Sequence, residues 1–142
     1  LKENGILRFL CFQAPQKNLF QAVAMKVLSQ FVDMPQRDPK APSPFALADP
    51  TYVNDILTKS NFSNITVTPI EKKVSFAKDK SKEEFVAIFM RANPTIPSLI
   101  QPLSDDKKKE FIKQLETTFA TFQTEYGYTF PTATWDVCAK KV

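Results

Sequence analysis

The chain has 142 residues, 43% of them hydrophobic and 12% aromatic, with 13 phenylalanines and a formal net charge of +4. That length suits one ordinary domain, and so much apolar side chain can fill a core, which excludes general disorder. Histidine is absent and glycine occurs only at Gly5 and Gly127. Ser-His-Asp and Cys-His catalysis, histidine metal ligands and glycine-rich phosphate turns are therefore excluded.

The positive charge is carried mostly by lysine, since Arg8, Arg37 and Arg91 are the only arginines. Readers of base edges favour arginine, whose flat fork matches guanine. The basic runs Lys72-Lys73, Lys78 to Lys82, Lys107-Lys108-Lys109 and Lys140-Lys141 are interleaved with Glu71, Asp79, Glu83 and Glu110. That pattern predicts a solvated surface and no nucleic-acid partner. Cys11 and Cys138 stand far apart inside apolar runs, which suits buried free thiols in a reducing cytosol, not a disulfide or zinc framework. Two glycosylation sequons, at Asn61 and Asn64, are short enough to arise by chance. No apolar run approaches a membrane span and no signal peptide precedes the domain, so a cytoplasmic location is expected. The chain opens on Leu1 and runs at once into a buried strand, as a piece of a longer protein would.

Residues Ile6 to Phe12 form a short, nearly continuous apolar run, the pattern of a central strand covered on both faces. Asn18 is placed to cap a helix whose stripe is Phe20, Val23, Ala24, Val27, Leu28 and Phe31, stopped by Pro35. A proline-rich loop follows over residues 35 to 50, and its apolar Phe45, Ala46 and Leu47 should lie against something. Asp49-Pro50 starts a helix with Val53, Ile56 and Leu57 on its buried face, and Asn61 suits the left-handed closing position. Residues 65 to 70 alternate as a strand, and Pro69 places it at a sheet edge. Ser81 and Glu84 make a capping box ahead of Phe85, Ile88 and Phe89. Pro94, Pro97 and Pro102 break the next stretch into short turns. Ser104 caps a long helix with the stripe Phe111, Leu115, Phe119, Phe122 and Tyr126, ended by Gly127. Residues Thr134 to Ala139 alternate as a last strand. Helices alternating with strands predict a layered α/β arrangement. Three strands are few for so much apolar helix surface, which again suggests that strands are missing on the N-terminal side.

Three stretches together resemble the C-terminal half of a class I S-adenosylmethionine-dependent methyltransferase, nearest to the type-11, ubiquinone-biosynthesis-like family. They are Leu1-Lys2-Glu3-Asn4-Gly5 leading into Ile6 to Phe9, then Pro44-Phe45-Ala46-Leu47-Ala48-Asp49-Pro50 with its helix to Asn61-Phe62, and Pro131 to Ala139. Glu3-Asn4 stands where the family has Pro-Gly, Phe12 where many relatives have Trp, and Asn61 where a glycine ends the helix. The resemblance implies one partial domain over residues 1 to 142, the C-terminal part of a Rossmann-like sheet. Residues 6 to 12, 65 to 70 and 133 to 140 would be strands five, six and seven, in the spatial order 5-7-6 with the seventh antiparallel. A helical insertion over residues 82 to 126 would separate the last two.

The resemblance also implies S-adenosylmethionine as cofactor of the parent protein. Its Asp-x-Gly-x-Gly loop and ribose-binding acid belong to the missing N-terminal half, so this chain alone should bind no cofactor and transfer no methyl group. Ligands of open α/β sheets sit beyond the carboxyl ends of the strands. Phe12, Gln13, Phe20 and Phe45 are accordingly expected to line the pocket for a small, apolar methyl acceptor. No residue stands out as a general base. Asp49 is expected as a helix cap, Asp136 as a solvated or lysine-paired strand residue, and Tyr126 and Tyr128 as closing the long helix. The alternative is a self-standing, non-catalytic interaction module or hydrophobic-ligand binder. An isolated half should expose a strand flank at residues 6 to 12 and dimerise or aggregate there.

Overall fold

A computed structural model describes residues 1–34, 38–39 and 41–142. Pro35, the expected stop of the first helix, lies outside them. The elements are β1 (Ile6–Phe12), a 3-10 turn (Pro15–Lys17), α1 (Leu19–Leu28), α2 (Pro50–Lys59), β2 (Phe62–Phe76), α3 (Lys82–Ala92), α4 (Thr95–Ile100), α5 (Asp105–Ala120), β3 (Gln123–Thr124) and β4 (Gly127–Lys141). The fold is α/β. The strands form one sheet in the order β1-β4-β2, with β3 attached to β4. β4 runs antiparallel to β1, with Ile6 opposite Lys140 and Phe12 opposite Thr134. It is also antiparallel to β3. The chain divides into two compact units, Leu1–Leu19 with Arg37–Lys72 and Pro131–Val142, and Phe20–Gln36 with Lys73–Phe130.

In the first unit, α2 lays Val53 and Leu57 on Val137 and Ala139 of β4. Leu7, Phe9 and Cys11 from β1 and Ile65 and Val67 from β2 border that core. The period of two along each strand puts these residues on one face. The helix starts where Asp49 accepts the Thr51 N–H at 2.8 Å, with Pro50 in its first turn. It closes at Asn61, whose φ of 60° is the left-handed conformation expected there. The loop ahead of α2 is tied down as its apolar residues suggest. Leu47 joins the core, and Trp135 Nε1 donates to the Ala48 carbonyl at 2.8 Å.

In the second unit, α3 packs on α5. The Ser81–Glu84 capping box is formed, and Ser104 caps α5 by accepting the Lys107 N–H. Phe85, Phe89, Phe111, Leu115, Phe119, Tyr128 and Phe130 are all buried. Their rings meet edge-on and stacked; the Phe85 and Tyr128 rings lie 4.1 Å apart and 5° from parallel. Such geometry adds to the area each ring removes from water.

Several expectations change. α1 stops at Leu28, short of Phe31, and α4 spans Thr95–Ile100 where only short turns were expected. The long helix ends at Ala120, so Phe122 and Tyr126 are not part of its stripe, and Gly127 opens β4 instead of closing α5. Residues 123–128 form a hairpin, with Gln123 opposite Tyr128 and Thr124 opposite Gly127. Tyr126 is exposed at its tip, whereas Tyr128 is buried in β4. Both β2 and β4 are 15 residues long, more than twice the expected length for β2. β2 does lie at a sheet edge, as Pro69 requires. Finally, β1 also lies at an edge of the sheet, and only one of its faces is packed. Ile6 and Leu10 are 60% and 64% exposed.

Candidate functional site

The carboxyl end of β1 carries Phe12, and the loop before α2 brings Phe45 to it. The two rings lie 5.5 Å apart, tilted by 42°. Both are half-buried, so each keeps a surface for a further apolar contact. Gln13 follows Phe12 and is buried. Its side-chain Nε2 donates to the Thr134 carbonyl at 2.9 Å, and its Oε1 accepts from Lys17 Nζ at 3.1 Å. Lys17 also reaches Glu71 Oε1 at 2.8 Å. The Gln13 amide is thus engaged at both ends within the protein, and its role at this end of the strand is to hold β1, β4 and the 3-10 turn together.

Phe20, the fourth residue expected at the pocket, belongs to the second unit. Its ring lies 5.0 Å from those of Phe76 and Phe89, and within 6.3 Å of Phe85, Phe119 and Phe130. Phe20 is half-buried, as Phe12 and Phe45 are, and differs from them in meeting five rings of its own unit.

Asn18 was expected to cap α1, but its side chain goes to β4. Its Oδ1 accepts the Ala133 N–H at 3.0 Å, and its Nδ2 donates to the Ala133 and Gln13 carbonyls at 3.0 and 3.3 Å. Asp136 is paired with arginine, not lysine. Arg8 donates Nε and Nη2 to its two carboxylate oxygens at 3.0 and 2.6 Å. The hydrogen bonds and charge of Arg8 hold the Asp136 carboxyl below the usual carboxylate range. Burial pushes the Cys11 thiol up, and its Sγ donates to the Leu47 carbonyl at 3.5 Å. Cys11 and Cys138 are free thiols that are only half-buried, not the buried ones expected.

A separate open groove of about 600 Å³ runs between α2 and β2. Thr51, Asn54, Asp55 and Thr58 form its helical wall, and Ile65 and Val67 its strand wall. None of the four expected pocket residues lines it.

Neither glycine offers a cofactor a close approach. A β-carbon on Gly5 would sit 2.9 Å from the Lys2 carbonyl oxygen, and one on Gly127 2.3 Å from that of Phe76. The space beside each is filled by the protein's own backbone. Among the described residues, no three His, Cys, Asp or Glu side chains gather where they could hold a metal ion. No helix among them is long and apolar enough to cross a membrane. No family model and no curated protein matches the chain.

Proposed function

We propose that this chain is the acceptor-side half of an S-adenosylmethionine-dependent methyltransferase, unable to transfer a methyl group by itself. The observation that carries this reading is the strand order. The last strand, β4, lies between β1 and β2 and runs antiparallel to β1. That is the 5-7-6 arrangement implied by the resemblance, in a sheet whose first strand is left without an outer neighbour.

On this reading the residues before Leu1 supply the strand beside β1 and the cofactor loop. The Phe12–Phe45 pair at the carboxyl end of β1 presents an apolar wall to a small acceptor. Methyl transfer from a sulfonium needs alignment and exclusion of water more than proton transfer. A wall of aromatic rings without a titratable group suits that demand. The five rings around Phe20 support a structural role for that side chain; the alternative reading of the chain is a non-catalytic interaction module or hydrophobic-ligand binder.

The test is the reading frame about 150 codons upstream of Leu1, the length of one further domain half or more. A strand followed by Asp-x-Gly-x-Gly, and cofactor binding by the protein that includes it, are the expected results. An immediate start codon, or a parent protein that does not bind S-adenosylmethionine, overturns the proposal.

A further inference from the structure

Asn4 is the one asparagine of the chain that is followed by glycine; Asn18, Asn54, Asn61, Asn64 and Asn93 precede Leu, Asp, Phe, Ile and Pro. That neighbour matters chemically. The backbone nitrogen of the next residue can attack the asparagine side-chain amide carbon, and a residue without a β-carbon leaves the approach open. Asn4 is exposed, so water reaches it.

The fold closes this reaction path with backbone hydrogen bonds. Gly5 N–H donates to the Lys2 carbonyl at 3.0 Å, which makes residues 2–5 a turn. The third residue of that turn, Asn4, has a φ of 64°, as a type II turn requires. Asn4 N–H donates to the Lys141 carbonyl at 3.0 Å, and Lys141 N–H donates to the Gly5 carbonyl at 2.8 Å. Asn4 and Gly5 together therefore oppose the single residue Lys141. That is a β-bulge with its first residue left-handed, a place usually given to glycine. A β-carbon on Gly5 would lie 2.9 Å from the Lys2 carbonyl oxygen, so the turn itself favours the glycine that makes Asn4 labile. Both partners of the bulge, Lys2 and Lys141, lie within the chain.

We infer that Asn4 is a deamidation site gated by the bulge at the start of β1. Ring closure needs the Asn4–Gly5 backbone to rotate and the Gly5 N–H to leave the Lys2 carbonyl, so the paired bulge holds Asn4 intact. Local opening of the first rungs of the β1–β4 ladder releases it. Gly5 N then bonds to Asn4 Cγ, the Cγ–Nδ2 bond breaks, and ammonia leaves with the Gly5 proton. Water opens the resulting succinimide. Cleavage of the new bond gives aspartate, and cleavage of the original peptide bond gives isoaspartate, whose main chain runs through Cβ and Cγ. The two products differ in fit. Aspartate keeps the backbone and tolerates a positive φ. Isoaspartate adds one main-chain atom between the two groups that bond Lys141, a span the bulge fixes. It cannot restore both bonds, so the start of β1 stays open once this product has formed.

This gating is independent of the methyltransferase reading. The test is peptide mapping by mass spectrometry of the protein incubated at neutral pH, folded and in denaturing urea, with isoaspartate separated from aspartate by chromatography. In urea, Asn4 should deamidate about tenfold or more faster than any other asparagine, because only the neighbouring residue then decides the rate. In the folded protein Asn4 should react about tenfold or more slowly than in urea, as protection by a paired backbone predicts. Returned to native buffer, the isoaspartate form should lose the hydrogen-exchange protection of the Lys141 amide, whereas Asn4→Asp should keep it. Equal Asn4 rates in the folded protein and in urea overturn the inference, as does an earlier loss at another asparagine in urea. So does an isoaspartate form whose Lys141 amide stays protected, or an Asn4→Asp protein that loses that protection too.

Discussion

Asn18 is inserted into the β1–β4 ladder at its end, between Gln13 and Ala133. In a regular antiparallel pair the Ala133 N–H would return to the Gln13 carbonyl. Here Asn18 Oδ1 takes the Ala133 N–H at 3.0 Å, and Asn18 Nδ2 gives one N–H to Ala133 O and contacts Gln13 O at 3.3 Å. The two strand ends diverge, and one buried amide bridges the gap.

Removing that amide leaves buried backbone groups without partners. Asn18→Ala should destabilise the fold by ~1–3 kcal/mol, the usual cost of an orphaned buried group. Asn18→Asp keeps the acceptor and loses the donors while burying a charge, so it should be the worse of the two at neutral pH. Urea unfolding of the three proteins checks the order. Equal midpoints for all three would show that the amide does not hold the strands.

Gly127 has a φ of 102° and stands against the turn after β2. Its hypothetical β-carbon would lie 2.3 Å from Phe76 O and 2.9 Å from Lys78 N, both backbone atoms. Backbone cannot step aside as a flexible side chain can. Gly127→Ala should therefore cost ~2 kcal/mol or more, combining an unfavourable φ with a clash. Thermal unfolding measures it. An unchanged melting temperature would mean that the hairpin at residues 123–128 is free to shift.

Much of this arrangement was legible in the sequence, and the failures share a cause. The caps at Asp49, Ser81 and Ser104 are local, so their residues announce themselves within four positions. The left-handed Asn61 and the edge position of β2 were legible for the same reason. The end of α5 was not. Phe122 and Tyr126 continue the helical spacing by chance, while the 123–128 hairpin and its packing decide the backbone. The roles of Asn18 and Asp136 depend on partners 115 and 128 residues away. No local pattern reports those distances, although an antiparallel register joining Ile6 to Lys140 puts Arg8 one strand away from Asp136. At the candidate site, Phe12 and Phe45 come together as expected, but the sequence could not say that Gln13 is consumed by internal hydrogen bonds.

The Arg8–Asp136 pair makes an acid-side prediction. Hydrogen bonds from Arg8, with its charge, lower the Asp136 pKa in the folded state. A depressed folded pKa contributes stability that is complete above the unfolded value and is lost as pH falls through the folded one. Asp136→Asn should therefore be less stable than the parent at neutral pH, and the difference should close as pH drops below the ordinary carboxylate range. Arg8 is 70% exposed, so added salt should shrink the difference as well. Urea midpoints across pH measure this. A difference that is constant with pH would assign the effect to shape and not to charge.

The Phe12–Phe45 pair and Phe20 separate site from core. The Phe20 ring lies among five others of its own unit, so Phe20→Ala should chiefly destabilise, by ~3 kcal/mol, as truncation of a packed ring does. Phe45 meets one aromatic ring and stays half-open. Its loop is held independently by Trp135 and Leu47. If the proposed function holds, Phe45→Ala in the parent methyltransferase should leave unfolding nearly unchanged and weaken binding of the methyl acceptor by about two- to tenfold, the worth of one aromatic contact. Calorimetric titration of the acceptor, beside urea unfolding of the same variant, measures both. If affinity and folding are both unchanged, Phe45 is no part of the pocket. If Phe20→Ala instead weakens binding without loss of stability, the ring cluster of the second unit is the ligand site and the wall at the end of β1 is not.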